Sequence, residues 1–466
     1  MRSSGSFGRY LGMNKEKKEV VKVNQITEGV IWQQILIFFL PILFGTFFQQ
    51  LYNTADTIVV GRFVGKEALA AVGGSAAQIV NLVVGFFVGL ASGATVIISQ
   101  YYGAKDTEHL NRALHTAYAF SIAGSVIITM AGIAVSPWLL RIMNTPEELM
   151  ADSVLYLRIY FAGILFVFIY NVGSSILRAV GDSKRPLYYL IVCCILNIVL
   201  DILLVLVFHM GVSGAALATL FSQAVSAVLV TRALMHSEDI YHLNLRGIRF
   251  YKAALISLIW IGLPTGIQSI MYTISNMFIQ ASLNSFGTDT IAAWTAFGKI
   301  DSFYWMVNNA FGIAVTTFVG QNFGAGKYGR MRKSVRVGIV MALTAALTIT
   351  GFFYGAGEFL FRMFTADHSV VAIGMRMLHL IAPAYFLFVF IELLSGALRG
   401  TGDVIIPMIM TCCGVCILRV LWIMFVVPTR PALETVIFSY PITWIITAAL
   451  FIVYYIKKFR KYPRKS

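Results

Sequence analysis

The chain reads as an all-α integral membrane protein, with twelve transmembrane helices in two six-helix bundles related by a pseudo-two-fold axis along the membrane normal. Three observations predict this. The first is composition: of 466 residues, 58% are hydrophobic and only 12% charged. The apolar residues fall in long runs; a helical span needs about 20 of them, and there are about twelve such runs. A soluble helical protein would show polar faces at helical spacing, whereas these runs are apolar all round.

The second is an internal repeat. Leu177-Arg178-Ala179-Val180-Gly181-Asp182 followed by Pro186 returns as Leu398-Arg399-Gly400-Thr401-Gly402-Asp403 followed by Pro407, an offset of 398 − 177 = 221 positions. Gln100 with Gly103-Ala104 returns as Gln321 with Gly324-Ala325, and Leu40-Pro41 as Leu263-Pro264. A repeat of this size in an apolar sequence predicts a two-lobed transporter core.

The third is where the charge lies. A net charge of +15 could suggest nucleic-acid binding, but the basic residues sit at the ends and in alternate loops. Lys15, Lys17, Lys18 and Lys22 precede the first span, and Lys457, Lys458, Arg460, Lys461, Arg464 and Lys465 follow the last. Between them come Lys105 and Arg112, Lys184 and Arg185, Arg246, Arg249 and Lys252, then Lys327, Arg330, Arg332, Lys333 and Arg336. Roughly 27 of the 36 Lys and Arg thus fall on one side, which the positive-inside rule makes cytoplasmic. Both termini are expected there, in a multi-pass protein of the cell (inner) membrane, with no nucleic-acid partner.

In chain order, residues 1–30 form a cytoplasmic segment in which no cleavable signal peptide is expected; Met1 to Gly12 could be a leader before a second start at Met13. The N-terminal lobe, 31–235, holds spans near Ile31 to Val60, Ala68 to Tyr101, Leu114 to Leu139, Val154 to Leu177, Leu187 to Phe208 and Ala215 to Leu234. A polar cytoplasmic linker, 236–252, follows. The C-terminal lobe, 253–456, holds Ala253 to Leu283, Ile291 to Phe318, Val335 to Phe361, Met375 to Leu398, Val404 to Val427 and Val436 to Tyr455. A basic tail, 457–466, ends the chain. Six spans is an even number, so both lobes enter the membrane in the same direction and the repeat is parallel, with a substrate path between the lobes.

Gly85, Gly89 and Gly93 recur at four-residue spacing in the second helix, which permits close helix contact. Pro41 and Pro264 each remove a backbone hydrogen bond and could bend the first and seventh helices. Cys193, Cys194, Cys412, Cys413 and Cys416 lie within apolar spans and read as packing residues.

Polar groups inside the spans mark where the halves differ. Asp56 lies near the outer end of the first helix, with Tyr52 and Asn53 one turn before it; its counterpart in the second half is Ile279 or Gln280. On the fifth helix Asn197 and Asp201, four apart, share a face, while their counterparts are Leu418 and Trp422. A carboxylate at bilayer depth costs about 2.5 to 3.5 kcal/mol even on the lenient insertion scale. Two such groups close together cannot cheaply both ionise, so at least one should hold a proton unless a cation is bound. In the second half Lys299, Asp301, Glu392 and Arg419 replace Gln78, Val80, Asn171 and Ile198. An internal salt bridge, such as Glu392 with Arg419, competes with a role in transport. An acid facing a cavity would attract cations, with Tyr272, Tyr304, Trp305 and Phe390 as candidate aromatic contacts.

The paired L-R-x-x-G-D-x-x-x-P motifs, Ala68-Leu69-Ala70-Ala71-Val72, Gln100-x-x-Gly103-Ala104, Asp56, and Asn197 with Asp201 together resemble the multidrug and toxic compound extrusion (MATE) family. The likeness runs from Ile31 to Tyr455 and is to the prokaryotic branch whose acidic cluster is in the first lobe. The resemblance implies a proton- or sodium-coupled antiporter that exports organic cations by alternating access, working as a monomer in membrane lipid, with no cofactor beyond the coupling ion. Its cation-responsive site falls on Asp56, Asn197, Asp201 and Thr219, with sodium, if used, at Asp56, Asn197 and Asp201. Tyr52, Asn53, Gln268, Tyr272, Asp301 and Glu392 are the substrate-cavity candidates. The sodium-coupled branch with a glutamate in its seventh helix is a poorer match, because that helix offers only Gln268, Asn276 and Gln280. A flippase for a lipid-linked precursor shares the superfamily fold and is the alternative; Arg419, Arg376 and Lys299 lining the cavity would favour it. An enzyme is not expected, as neither an H-E-x-x-H metal motif nor a G-x-S-x-G nucleophile turn is present.

Overall fold

The computed structural model describes residues 25–463. Lys15, Lys17, Lys18, Lys22, Arg464, Lys465 and the Met1 to Gly12 leader therefore lie outside the described residues. Within them the structure is helical, with no strand. Twelve long helical segments carry the fold. In the first lobe these are α1 (Ile31–Val64), α2 (Lys66–Gly103), α3 (Thr107–Ile142), α4 (Glu147–Ala179), α5 (Lys184–Val207) and α6 (Gly211–Met235). The second lobe has α7 (Lys252–Asn284), α8 (Thr288–Gly324), α9 (Tyr328–Arg362), α10 (His368–Gly400), α11 (Ile405–Thr429) and α12 (Leu433–Phe459).

Eleven of these are long and apolar enough to cross a membrane. The other, α8, has 37 residues, about 55 Å at 1.5 Å per residue, so length is not what sets it apart. It carries Asp301, Asn308, Thr316, Thr317 and Gln321, of which all but half-buried Asp301 are buried. Its polarity faces protein, so these groups escape the cost of facing lipid, although Asn308 Oδ1 and Thr317 Oγ1 make no hydrogen bond. Several helices run past the apolar spans, as α3 and α9 do at their starts, because hydrogen bonding continues along the backbone after the side chains turn polar.

The repeated L-R-x-x-G-D motif is a helix stop. Gly181 at φ 95° and Gly402 at φ 86° adopt the left-handed conformation that glycine reaches without a Cβ penalty. In both copies the glycine N–H donates three residues back and the aspartate N–H five residues back: Gly181 to Arg178 O at 3.0 Å and Asp182 to Leu177 O at 2.9 Å, then Gly402 to Arg399 O at 2.8 Å and Asp403 to Leu398 O at 3.1 Å. This pair of hydrogen bonds satisfies carbonyls a helix end would otherwise leave orphaned. Pro186 and Pro407 then sit in the first turn of α5 and α11, where a missing N–H costs nothing.

The second repeated motif joins the lobes at the face where the described termini lie. Gln100 donates to Gly400 O at 2.8 Å, and Gln321 donates to Ala179 O at 2.7 Å. Each glutamine thus reaches the helix stop of the opposite lobe, a reciprocal pair that mirrors the repeat. Gly103 packs on the Gln321 backbone and Gly324 on the Gln100 backbone, too closely for any side chain. Further into α2, Gly89 and Gly93 lie on α7 at Gly266 and Gly262, with the position of a Cβ at Gly89 only 2.7 Å from the Gly266 backbone. The terminal face is closed by these contacts. Lys327 and Arg330 also hold the short helix Gln25–Glu28 beneath it, donating to Thr27 O at 3.1 Å and Ile26 O at 3.0 Å.

The linker between the lobes is polar in sequence yet pinned in place. Tyr241 and Leu243 are buried in the first-lobe core, while the amides of His242, Asn244 and Tyr251 donate to Asn111, His115 and Thr116 of α3. Helices α1 and α7 continue unbroken through Pro41 and Pro264. A pocket of about 60 Å³ lies beside Pro41, bounded by Gly45, Thr46, Tyr170 and Leu190.

Candidate functional site

The polar side chains inside the spans form two groups, one per lobe, and they differ in how well they are satisfied. In the first lobe, Asp56 of α1 and Asn197 and Asp201 of α5 are buried, the last two completely. Helices α1 and α5 pack side by side, and the Asp56 and Asp201 carboxylates are close enough to act on each other and on the Tyr156 ring electrostatically. Asp56 Oδ1, both polar atoms of the Asn197 amide and both Asp201 oxygens make no hydrogen bond. An unsatisfied buried polar group costs about 1 to 3 kcal/mol; the four oxygens of this set could be answered by a proton or bound cation, whereas the Asn197 Nδ2 donor needs an acceptor. Both helices change from α to π winding just past their acids, at Val60–Val64 and at Ile202–Val207. Single π turns of this kind are frequent at functional sites.

Thr219 of α6 is also buried, beside Tyr160 and Gln223. Tyr52 is buried on the Asp56 face and accepts a hydrogen bond from Gln223 at 3.3 Å. Asn53 is not part of this group: it is exposed. Residues three and four before Asp56 differ by about 100° around a 3.6-residue helix, and Tyr52 takes the buried direction. Tyr156, Tyr160 and Gln223 were not singled out by the sequence, because aromatic residues and glutamine at helical spacing look like ordinary packing.

In the second lobe a cavity of about 670 Å³ is lined by Tyr272, Asp301, Trp305, Glu392, Arg419 and Tyr440 among others. The acids here have partners. Asp301 accepts from Trp305 Nε1 at 2.6 Å and from the Tyr385 hydroxyl. Glu392 pairs with Arg399 at 3.3 Å, not with Arg419 as the sequence suggested. Glu392 and Arg399 are seven apart, two turns along one face of α10, and Arg399 belongs to the helix-stop motif that ends that helix. Of the aromatic candidates, Tyr272 and Trp305 line the cavity. Tyr304 instead stacks on Tyr385 with ring centroids 3.9 Å apart and donates to Tyr385 O at 2.8 Å, and Phe390 packs on the core. Lys299 is exposed, and Arg376 pairs with Glu434 at the surface.

A second cavity of about 260 Å³ lies between the lobes and shares Tyr272, Asn309 and Glu392 with the first. It is lined by Ser92 and Thr95 of α2, Gln268 of α7 and the two motif arginines, Arg178 and Arg399. The sequence placed these arginines in the repeated motif; the structure adds that they border this central space. Among the described residues no three of His, Cys, Asp and Glu come together as a metal site. Two carboxylates, an amide and a hydroxyl are the donors of the first-lobe group, oxygen ligands suited to a proton or a hard cation rather than a transition metal.

The MatE family model matches residues 41–203 and 264–425, one segment in each lobe. The chain is similar to the probable multidrug resistance protein YpnP of Bacillus subtilis, 31% identical over 399 residues that cover 86% of this chain and 89% of that protein. It is 24% identical over 409 residues to the multidrug export protein MepA of Staphylococcus aureus, covering 84% of this chain and 87% of that one. The fold matches a solved outward-facing conformation of a multidrug resistance MATE family transporter of the MOP superfamily, with a TM-score of 0.87 at 23% identity, over 94% of this chain and 98% of that one.

Proposed function

The chain belongs to the MatE family of transporters, and from that premise we propose that it exports organic cations, drugs among them, in exchange for a proton or sodium ion. The observation that carries the coupling half of this reading is the set of five unpartnered polar atoms on Asp56, Asn197 and Asp201. A carboxylate pair with no protein donor favours a mobile cation, and Thr219 adds a hydroxyl on the neighbouring helix. Sodium, if it is the ion, would be held by Asp56, Asn197 and Asp201. The substrate would enter the second-lobe cavity, where Asp301 supplies charge and Tyr272 and Trp305 supply aromatic faces.

By the positive-inside rule we assign the terminal face, with both chain ends, to the cytoplasm of a cell-membrane protein. The reciprocal glutamines then close the cytoplasmic side, and the state described is the one that releases drug outward. Cation entry at Asp56 and Asp201 would neutralise the pair, let α1 repack into the space beside Pro41, and drive the return. The protein is expected to work as a monomer. A lipid-linked precursor flippase would want several free basic groups in the cavity; Arg419 is there and Arg178 and Arg399 border the adjoining space, but Arg399 is paired with Glu392, and Lys299 and Arg376 lie elsewhere. The test is efflux of a cationic dye from oriented proteoliposomes under separately imposed proton and sodium gradients. One gradient should drive it, and folded protein that answers to neither would overturn the proposal.

A further inference from the structure

The linker between the lobes carries basic and apolar side chains that the rest of the protein leaves bare. Arg246, Arg249 and Lys252 are exposed, and no carboxylate pairs with any of them among the described residues. Leu245 and Phe250, in the same stretch, are half exposed. A loose linker in water would turn such apolar groups inward. This one is not free to do so: the Asn244 amide donates to His115 at 3.1 Å and the Tyr251 amide to Thr116 at 3.2 Å, so both ends of the stretch are tied to α3. The fold holds Leu245 and Phe250 outward.

The charges are gathered as well. The guanidiniums of Arg249 and of Arg112 in α3 lie 4.7 and 5.7 Å from the centroid of the same Tyr251 ring. Arg112 is matched by Glu108. Arg249 has only the ring, which attracts a cation but accepts no strong hydrogen bond. Lys252, the first residue of α7, adds a further charge. Lys252, Ile256, Ile259 and Leu263 fall on one face of α7 and are all exposed, with Trp260 beside them 62% exposed. None of these residues lines either cavity. An exposed apolar stripe on a membrane span meets acyl chains, and a basic residue one turn beyond its end stands at headgroup level.

We infer that this stretch is a binding site for an anionic phospholipid, with the phosphodiester held by Arg249 and Lys252, the acyl chains lying along the α7 stripe, and Leu245 and Phe250 embedded at the interface. Guanidinium and phosphate meet through charge-assisted hydrogen bonds, and Arg246 adds to the field that draws the headgroup. A soluble phosphate would answer the charges and leave Leu245, Phe250 and the stripe bare, so the apolar groups favour a lipid as the source of the phosphate. The linker is tied to α3 of the first lobe and leads into α7 of the second, and a lipid bound there braces the joint between the lobes. The site is independent of the cargo, because it shares no residue with the two cavities.

The first test leaves the chain intact. Photoactivatable phosphatidylglycerol or phosphatidylcholine is built into proteoliposomes and the labelled peptides are mapped. The phosphatidylglycerol should label residues 245–263 several-fold more than the phosphatidylcholine, and equal labelling overturns the inference. The second follows the melting temperature in detergent against added phosphatidylglycerol. Stabilisation should saturate, and Arg249→Gln combined with Lys252→Gln should raise the half-saturating concentration by about tenfold or more, since each basic residue near an anionic surface contributes about fivefold. Lys333→Gln with Lys461→Gln removes the same charge at exposed positions outside the linker and should leave that concentration unchanged. An equal loss in both pairs means diffuse attraction and overturns the site. Equal stabilisation by inorganic phosphate, or by phosphatidylcholine, overturns the anionic lipid as its occupant.

Discussion

The two lobes share helix stops, glutamine contacts and helix order, yet they treat buried acids in opposite ways. In the first lobe Asp56, Asn197 and Asp201, on two helices that pack together, have five polar atoms unpartnered. In the second, Asp301 is held by Trp305 and Tyr385 and Glu392 by Arg399. A repeated backbone therefore carries two kinds of site. On the proposed reading, the acids that the protein leaves unsatisfied take a small mobile ion, while those fixed by neighbouring donors are pre-positioned for a larger ligand. The cost of the first arrangement is stability, since each orphaned group opposes folding until something binds; the second spends hydrogen bonds on orientation.

The largest effect that would break this comparison is in the first lobe. Asp201→Asn should reduce gradient-driven efflux to the level of protein-free liposomes while the protein still inserts and runs as a single species on size exclusion. Substantial residual coupled transport would mean that Asp201 is only a packing group. Next comes Asp301→Asn, which removes a charge while its amide oxygen still accepts from the Trp305 N–H and its NH2 faces the Tyr385 hydroxyl, which can accept. It should raise KM for a cationic dye by roughly tenfold, one hydrogen bond to a charged group, yet leave the choice of driving ion as it was. The smallest effect is at the seam. Gln100→Ala deletes one bond of about 1 kcal/mol, so amide exchange around residues 398–403 should quicken about fivefold, and Gln321→Ala should do the same around residues 177–182. Equal protection in either variant would show that the backbone contacts at Gly103 and Gly324 close this face alone.

Much of this was legible in the sequence, for identifiable reasons. The repeat offset reads the lobes without any tertiary contact, whereas the role of Gly181 and Gly402 in stopping their helices came only from the backbone geometry. Asp56, Asn197 and Asp201 stood out because charge in an apolar run is costly. Which groups satisfy one another was not legible. Glu392 has basic residues available both on its own helix and on α11, and only packing shows that Arg399 reaches it and Arg419 does not. Asn53 against Tyr52 is a matter of one residue's rotation around α1. The pinned linker was equally hidden: Tyr241 and Leu243 look unremarkable among polar neighbours, and their burial depends on where α3 happens to lie.

The most direct measurement of the central claim is thermal stability in detergent against sodium concentration and, separately, against pH, for wild type, Asp201→Asn and Asp301→Asn. A ligand that binds only the folded protein raises its melting point, by about 2.7 kcal/mol of stability at a hundredfold excess over Kd. The account predicts that wild type and Asp301→Asn are stabilised by one of the two cations and that Asp201→Asn is insensitive to it. A response that persists in Asp201→Asn, or disappears only in Asp301→Asn, would contradict the assignment of the coupling ion to the first lobe.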